Sequence, residues 1–231
     1  IGKWHLGWDL TYKEGKAKTV DNIDFTKRVA NGPTDRGFDY FYGLTSPSGP
    51  PHLYMVNDMA EKQPNTRFEE SGGGLYKIKG GIGHSDWSAD GMQPHLADKM
   101  LEYLDENKDS DKPFFLYMAL TAPHIPLFPS KEFKGKSKIG DYGDLVMMID
   151  DIVGRVNRKL KEIGKYDNTI VMFAADNGCA GYINMDRINR KGHYPSYIYR
   201  GYKSHGWEGG HRIPFILSWG CLLYTSDAAD E

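Results

Sequence analysis

The chain has 231 residues, 39% of them hydrophobic, so it can bury the core of one large domain or two small ones. Its 29 basic and 31 acidic residues are interspersed and give a net charge of −2, which argues against a nucleic-acid-binding or membrane-binding surface. No apolar run is long enough to cross a membrane. Aromatic residues make up 13% of the chain, a bias compatible with sugar stacking and equally with ordinary packing.

The first motif is Gly2-Lys-Trp-His-Leu-Gly7. In an extended segment Lys3 and His5 lie on the same face, where they could hold an anionic oxygen. A solvent-facing loop is an equally good interpretation of six residues alone. Further along, 36–43 is an aromatic, strand-like run, and 45–54 is a proline-rich loop that carries Ser46 and His52.

The glycine-rich stretch 66–83 shows no core periodicity and is predicted to be a long surface excursion. An amphipathic helix is predicted over 93–104 and a longer one over 145–163, with Gly164 as its C-cap. Asp150 and Asp151 fall inside the longer helix. We interpret this acidic pair as solvated, or as partners of nearby arginines at positions 155 and 158.

Two apolar runs, 114–120 and 170–175, are predicted to be buried strands on either side of the longer helix. A β-α-β unit of this kind has a right-handed crossover and parallel strands, so both carboxyl ends reach the same sheet edge. That edge would bring together His124, Asp176 and Asn177. Oxygens from Asp and Asn suit a hard cation such as Ca²⁺ or Mg²⁺, although Asp-Asn-Gly is also common turn chemistry.

The polar, tyrosine-rich stretch 178–200 is too long to be only a connector and is well placed to line the mouth of a pocket. It leads into Gly201-Tyr-Lys-Ser-His-Gly-Trp-Glu-Gly-Gly-His-Arg212 and then into an apolar strand over 213–218.

Four motifs occur in a fixed order: Gly-Lys-Trp-His-Leu-Gly at 2–7, Thr-Ala-Pro-His at 121–124, Ala-Asp-Asn-Gly at 175–178, and Lys203 five residues before Glu208. Together they resemble the formylglycine-dependent type I sulfatases of the alkaline phosphatase superfamily. The resemblance implies a sulfuric ester hydrolase. It also implies an α/β fold with a mixed, largely parallel sheet sandwiched by helices, here incomplete.

The resemblance also implies roles for individual residues. Lys3 and His5 would contact the formylglycine and the sulfate, His124 the sulfate and the leaving group, and Lys203 the sulfate near the leaving oxygen. Asp176 and Asn177 would be calcium ligands. The candidate substrate-binding residues are Ser46, His52 and His205.

The family's nucleophile motif and an early pair of aspartates do not occur in this sequence, and neither Cys179 nor Cys221 stands in a context that could replace the nucleophile. We therefore expect 1–220 to be part of a sulfatase catalytic domain that lacks its N-terminal nucleophile segment and its C-terminal region. Residues 221–231 match the translation of a sequencing adapter and are expected to be an artefactual tail.

Three functions stay open at this point. The first is a sulfatase acting on a carbohydrate, secreted or periplasmic in its full-length form and matured by a formylglycine-generating enzyme. The second is a phosphoester or phosphonoester hydrolase of the same superfamily. The third is a non-catalytic relative that binds sulfated glycans.

Overall fold

A computed structural model describes residues 1–220; the predicted adapter-derived tail, 221–231, lies outside the described residues. The strands are β1 Gly2–Lys3, β2 Tyr42–Leu44, β3 Met55–Val56, β4 Met59–Ala60, β5 Thr66–Phe68, β6 Gly81–Gly83, β7 Ile170–Ala174 and β8 Phe215–Trp219. The α-helices are α1 Met92–Glu106, α2 Asp141–Glu162, α3 Met185–Asn189 and α4 Glu208–His211. None of the helices within 1–220 is long and apolar enough to cross a membrane.

The two long helices form where the apolar periodicity predicts them, and they pack against each other. Each turns one stripe inward, so that residues from both helices share a core with aromatic side chains of the sheet and its loops. Gly164 follows the last turn of α2 with a φ of 70°, a left-handed conformation that glycine adopts without strain. The predicted helix end is therefore confirmed.

The acidic pair in α2 has a structural role. Asp151 pairs with Arg158 at 3.5 Å, as predicted, whereas Asp150 is exposed. Arg155 pairs instead with Asp98 of α1, which links the two helices. Both pairs are solvent-exposed enough that each contributes little to the free energy of unfolding.

The largest sheet has the strand order β1-β2-β3-β4, with β1 parallel to β2 and the remaining neighbours antiparallel. Two glycines allow β1 and β2 to approach closely, because a β-carbon on Gly43 would collide with the carbonyl oxygen of Gly2. This contact fixes Lys3 at the end of β1.

The predicted strand 114–120 is only partly formed. Its backbone bonds to Ile1 and Lys3 at Ala119, with N–O distances of 2.8 Å, but it makes just one isolated parallel bridge, Gly2 to Ala119. The prediction of a buried strand is also wrong for one face, since Phe115 and Tyr117 are exposed. The described residues thus place this segment beside β1, with apolar side chains alternating between core and solvent.

The predicted β-α-β unit does not form as one sheet in the described residues, because 114–120 bridges only to Gly2 and does not pair with β7. Strand β7 pairs antiparallel with β8, from Ile170 opposite Trp219 to Ala174 opposite Phe215. Only one face of β7 is covered: Val171 packs against the core beside α2, whereas Met172 is exposed. The apolar run therefore correctly indicates a strand. It does not indicate the direction of pairing, and it does not mean that both faces are buried.

The stretch 66–83 is not a surface excursion, because β5 and β6 pair within it as a small antiparallel sheet. Ile78 is buried and Phe68 packs against the main core. The chain is α/β with strands of mixed direction, as the sequence predicts, although most of the described ladders are antiparallel.

Candidate active site

The first residue of the site is Lys3, at the end of β1. Its backbone N–H donates to the Ala119 carbonyl at 2.8 Å, which ties it to the segment that leads into His124. Burial lowers the pKa of the Lys3 ammonium, the negative charge of Asp176 raises it, and the positive charge of Lys203 lowers it further. Lys3 is therefore close enough to both residues to interact with them through its charge.

His124 follows the 114–120 segment and is half-buried. Its Nδ1–H donates to the carbonyl oxygen of Ile125 at 2.7 Å, which leaves the Nε2 lone pair as the acceptor. Burial lowers the pKa of the imidazole; the bond to Ile125 and the charge of Asp176 raise it, and the charges of Lys3 and Lys203 lower it. At neutral pH this ring is neutral in the unliganded protein.

Asp176 and Asn177 come directly after β7. The amide nitrogen of Asn177 donates to the Gly178 carbonyl at 3.2 Å, and within 1–220 no hydrogen bond reaches its side-chain oxygen. Gly178 packs against α4, where its N–H donates to the Gly210 carbonyl at 2.9 Å. A β-carbon on Gly178 would collide with the Gly209 carbonyl oxygen, so only glycine lets the turn approach α4 this closely.

Lys203 is held against the same turn by the backbone. Its N–H donates to the carbonyl oxygen of Cys179 at 2.8 Å, and Tyr202 covers Gly181 so closely that a β-carbon there would meet the ring. The charges of Asp176 and Lys203 act on both Lys3 and His124, so these four side chains, which come from separate segments, lie near one another.

His5 is the exception among the proposed catalytic residues. It lies two residues beyond β1 and is exposed. In the part of the chain that the structure describes, no hydrogen bond or ion pair holds its ring toward the other four side chains.

A family model described as sulfatase matches residues 1–221. The chain belongs to the sulfatase family. More specifically, it is a type I sulfatase of the alkaline phosphatase superfamily, a family in which dependence on formylglycine is general.

Among the relatives, an N-acetylgalactosamine-6-O-sulfatase of Bacteroides thetaiotaomicron is 30% identical over 254 residues, which is 95% of this chain and 48% of the relative. An arylsulfatase of Hemicentrotus pulcherrimus is 30% identical over 219 residues, or 95% of this chain and 35% of the relative. This sulfatase chain therefore spans about half the length, or less, of these relatives.

A solved structure described under the metabolism of multiple glycosaminoglycans by Bacteroides thetaiotaomicron has a TM-score of 0.76 to this sulfatase chain. It is 28% identical, and the match covers 96% of this chain and 52% of the other. The match confirms the sulfatase-type α/β fold.

His52 is not at a pocket mouth in this sulfatase. Its side chain is fully buried at 0% exposure, lies 4.5 Å from Trp87 and 5.1 Å from Phe68 between ring centroids, and donates from Nε2 to the Lys79 carbonyl at 2.7 Å. A ligand could not reach the ring without displacing these aromatic residues. The interpretation of His52 as a substrate contact is therefore wrong, and we assign it to the core.

Ser46 and His205 occupy different positions. The Ser46 hydroxyl accepts the backbone N–H of Gly49 at 3.1 Å, so it stabilises a turn in the proline-rich loop. His205 is exposed, and its ring packs against Tyr202 with ring centroids 4.2 Å apart. Tyr202 is the residue directly before Lys203 in the chain. Only His205 of these two borders the candidate active site by an observed contact.

Sulfatases generally use a divalent cation, and the residues present fit part of such a site. Asp176 is exposed, and no described residue bonds to the side-chain oxygen of Asn177, so both could supply hard oxygen ligands. Residues 1–220 contain no cluster of three or more His, Cys, Asp or Glu side chains arranged to hold a metal ion. These two side chains offer at most three oxygens, fewer than the six to eight, roughly, that Ca²⁺ takes.

Cys179 agrees with the expectation that it is not the nucleophile. Its thiol lies 3.5 Å from the Tyr142 hydroxyl, and burial raises its pKa, so it is protonated at neutral pH.

Sequence reasoning missed Tyr182, whose ring lies edge-on to His124 at 6.4 Å between centroids. Its position among many tyrosines gives no signal. The paired Gly209 and Gly210 could have been recognised, because adjacent glycines before an arginine and a strand indicate a close backbone approach.

A cleft of about 540 Å³ elsewhere on the surface is lined by Phe68, Trp87, Phe128 and their neighbours, and by none of the candidate catalytic residues.

Proposed function

We propose that the protein containing this chain hydrolyses sulfate esters of a sulfated carbohydrate. The observation that supports the proposal is that the charges of Asp176 and Lys203 act on both Lys3 and His124, although the four residues come from separate segments. Sulfate ester cleavage keeps negative charge on the sulfuryl oxygens and builds it on the leaving oxygen, and fixed cations stabilise both. The carbohydrate substrate is supported by relatives named for N-acetylgalactosamine-6-sulfate.

In this proposal Lys3 and Lys203 hold the sulfuryl oxygens from two sides, with Lys203 nearer the leaving oxygen. His5, two residues beyond Lys3, contacts the formylglycine and the sulfate. The flat guanidinium of an arginine would not replace a compact ammonium between close neighbours. The lysine identity at 203 is therefore part of the proposal.

His124 supplies the proton for the leaving oxygen. With Nδ1–H committed to Ile125, only Nε2 can carry that proton. The lysines that lower the pKa of His124 are the ones that a bound sulfate neutralises, so substrate binding raises this pKa toward the range of a general acid. The proton is then carried at Nε2, the ring nitrogen that is not bonded to Ile125.

Asp176 and Asn177 would supply two ligands of one divalent cation, which we propose is Ca²⁺. When bound, such an ion supplies positive charge for the sulfuryl oxygens. The nucleophile would be a formylglycine outside this sequence, produced by a formylglycine-generating enzyme. We propose a secreted or periplasmic location for the full-length protein.

The test is steady-state kinetics on 4-nitrocatechol sulfate with a protein that also carries the nucleophile segment. Lys203→Ala should lower kcat by about a hundredfold or more, since a preorganised donor acts on the transition state. Lys203→Arg should rescue it only in part. Lys18→Ala, which removes an exposed loop lysine, is the matched control and should leave kcat unchanged.

Further measurements test the proposal and its two alternatives. The 231-residue chain by itself should show no turnover and only weak calcium binding by titration calorimetry, because nucleophile and further ligands are absent from it. If Lys203→Ala keeps kcat within a few fold, the sulfate clamp is misassigned. Faster hydrolysis of phenyl phosphate than of the sulfate would favour the phosphoesterase alternative, and sulfate binding without any turnover would favour the non-catalytic one.

A further inference from the structure

The segment 187–212 differs from the rest of the chain in charge. It contains six basic residues and one acidic residue, a net charge of +5, in a chain whose overall net charge is −2. The basic residues are Arg187, Arg190, Lys191, Arg200, Lys203 and Arg212, and the acidic one is Glu208. The even mixing of charge that the whole composition indicates does not hold for this segment, which is a local site of attraction for anions.

The same segment exposes large aromatic side chains. Tyr197 is 71% exposed, Tyr194 59% and Trp207 51%, and Ile198 between them is 79% exposed. Single exposed apolar residues are common, but several of them close together in one segment often mark a binding surface. Flat aromatic faces beside cations fit the rings and the acidic groups of an anionic sugar chain.

Arg200 shows how the two features combine. Its guanidinium lies 3.9 Å from the centre of the Trp207 ring, which holds the face of the guanidinium. In 1–220 no carboxylate forms an ion pair with Arg200, so the N–H groups along its edge are available to a carboxylate or sulfate. Arg212, which lies 4.7 Å from the Tyr199 ring centre, pairs with Glu208 at 3.3 Å and is less available.

The backbone presents Tyr197 outward at a cost. Tyr197 has a φ of 49°, a left-handed conformation that is rare for a bulky residue. Turns on both sides hold it there, with Tyr197 N–H donating to the Tyr194 carbonyl at 2.8 Å and Tyr199 N–H to the Ser196 carbonyl at 2.9 Å. Strain of this kind persists where the surrounding structure imposes it, and it is common at ligand-binding sites.

This surface adjoins the candidate active site. Tyr202 covers Gly181, and Tyr182, next in the chain, lies against His124. Lys203 belongs to both regions. Lys203 also lies within four residues of both Arg200 and Trp207 in the chain.

We propose that Tyr194, Tyr197, Arg200 and Trp207 form a subsite for the neighbouring units of an anionic oligosaccharide, so that the substrate is an oligosaccharide or polymer rather than a free sulfated monosaccharide. Sugar rings stack on Tyr197 and Trp207, and the edge of Arg200 pairs with a carboxylate or sulfate one or two units from the scissile ester. The proposal rests on the proposed function for the position of that ester, but the binding of the chain can be measured without turnover.

The test is binding to the 231-residue chain by titration calorimetry, with a chondroitin 6-sulfate hexasaccharide as the probe and the corresponding disaccharide for comparison. The hexasaccharide should bind about tenfold or more tightly, and neutral maltohexaose should not bind measurably. Arg200→Gln should weaken hexasaccharide binding about tenfold, because it removes one charged hydrogen-bonding partner of the ligand. Arg200→Lys should have an affinity between those of the wild type and Arg200→Gln. Tyr197→Ser should weaken it several-fold.

Arg158→Gln, which removes an exposed arginine from α2, is the matched control and should leave binding unchanged. Far-UV circular dichroism of each variant shows that a loss of binding is not a loss of fold. Equal affinity for the hexasaccharide and disaccharide, or unchanged affinity in both Arg200→Gln and Tyr197→Ser, would overturn the subsite. If binding behaves as expected while a protein carrying the nucleophile segment shows no turnover, the subsite stands and the proposed hydrolysis fails.

Discussion

Replacing His52 by alanine tests whether this residue stabilises the core or contacts the substrate. The side chain is fully buried, and its removal leaves a cavity between Trp87 and Phe68. Large-to-alanine changes in cores cost about 2–4 kcal/mol. Losing the hydrogen bond to the Lys79 carbonyl adds about 1 kcal/mol, so His52→Ala should lower the free energy of unfolding by about 3–5 kcal/mol.

The assay is urea denaturation followed by circular dichroism, with tryptophan fluorescence as a second probe of the same transition. Against a total stability of about 5–15 kcal/mol, a loss of this size moves the midpoint far to lower urea. The matched control is His205→Ala, which removes an exposed histidine stacked on Tyr202 and should cost less than about 1 kcal/mol. A cost below about 1 kcal/mol for His52→Ala, with weaker binding of a sulfated ligand, would refute the assignment to the core.

Two other predictions concern histidine protonation. Adding inorganic sulfate should raise the pKa of His124, followed by NMR of its ring protons, because the anion neutralises Lys3 and Lys203; a shift equal to wild type in Lys203→Met would contradict this. The protein should also lose stability as the pH falls below about 6.5, the ordinary pKa of histidine. Burial lowers the pKa of His52, His95 and His124 in the folded state, so below that pH the unfolded chain binds more protons than the folded one. Stability should be fully present above that pH, and urea midpoints that stay constant from pH 7.5 to 5 would show that these rings are not buried as neutral groups.

The sequence by itself determined the features that depend on local pattern. The periodicity of 93–104 and 145–163 predicted both long helices, because a helix with one apolar stripe needs only one surface to pack against. The ordered motifs around Lys3, His124, Asp176 and Lys203 indicated the family, which the family match confirms. The catalytic roles of these residues stay predictions, supported by the charges of Asp176 and Lys203 acting on Lys3 and His124.

Only the tertiary structure decided which strands pair and which side chains are covered. The apolar runs 114–120 and 170–174 look alike in sequence, yet one bridges to Gly2 and the other pairs antiparallel with β8, since pairing depends on distant partners that periodicity does not specify. His52 looked like a loop residue, but Trp87 and Phe68, far away in the chain, enclose it. Its burial, like the stacking of Arg200 on Trp207, depends on how separate segments fold against each other.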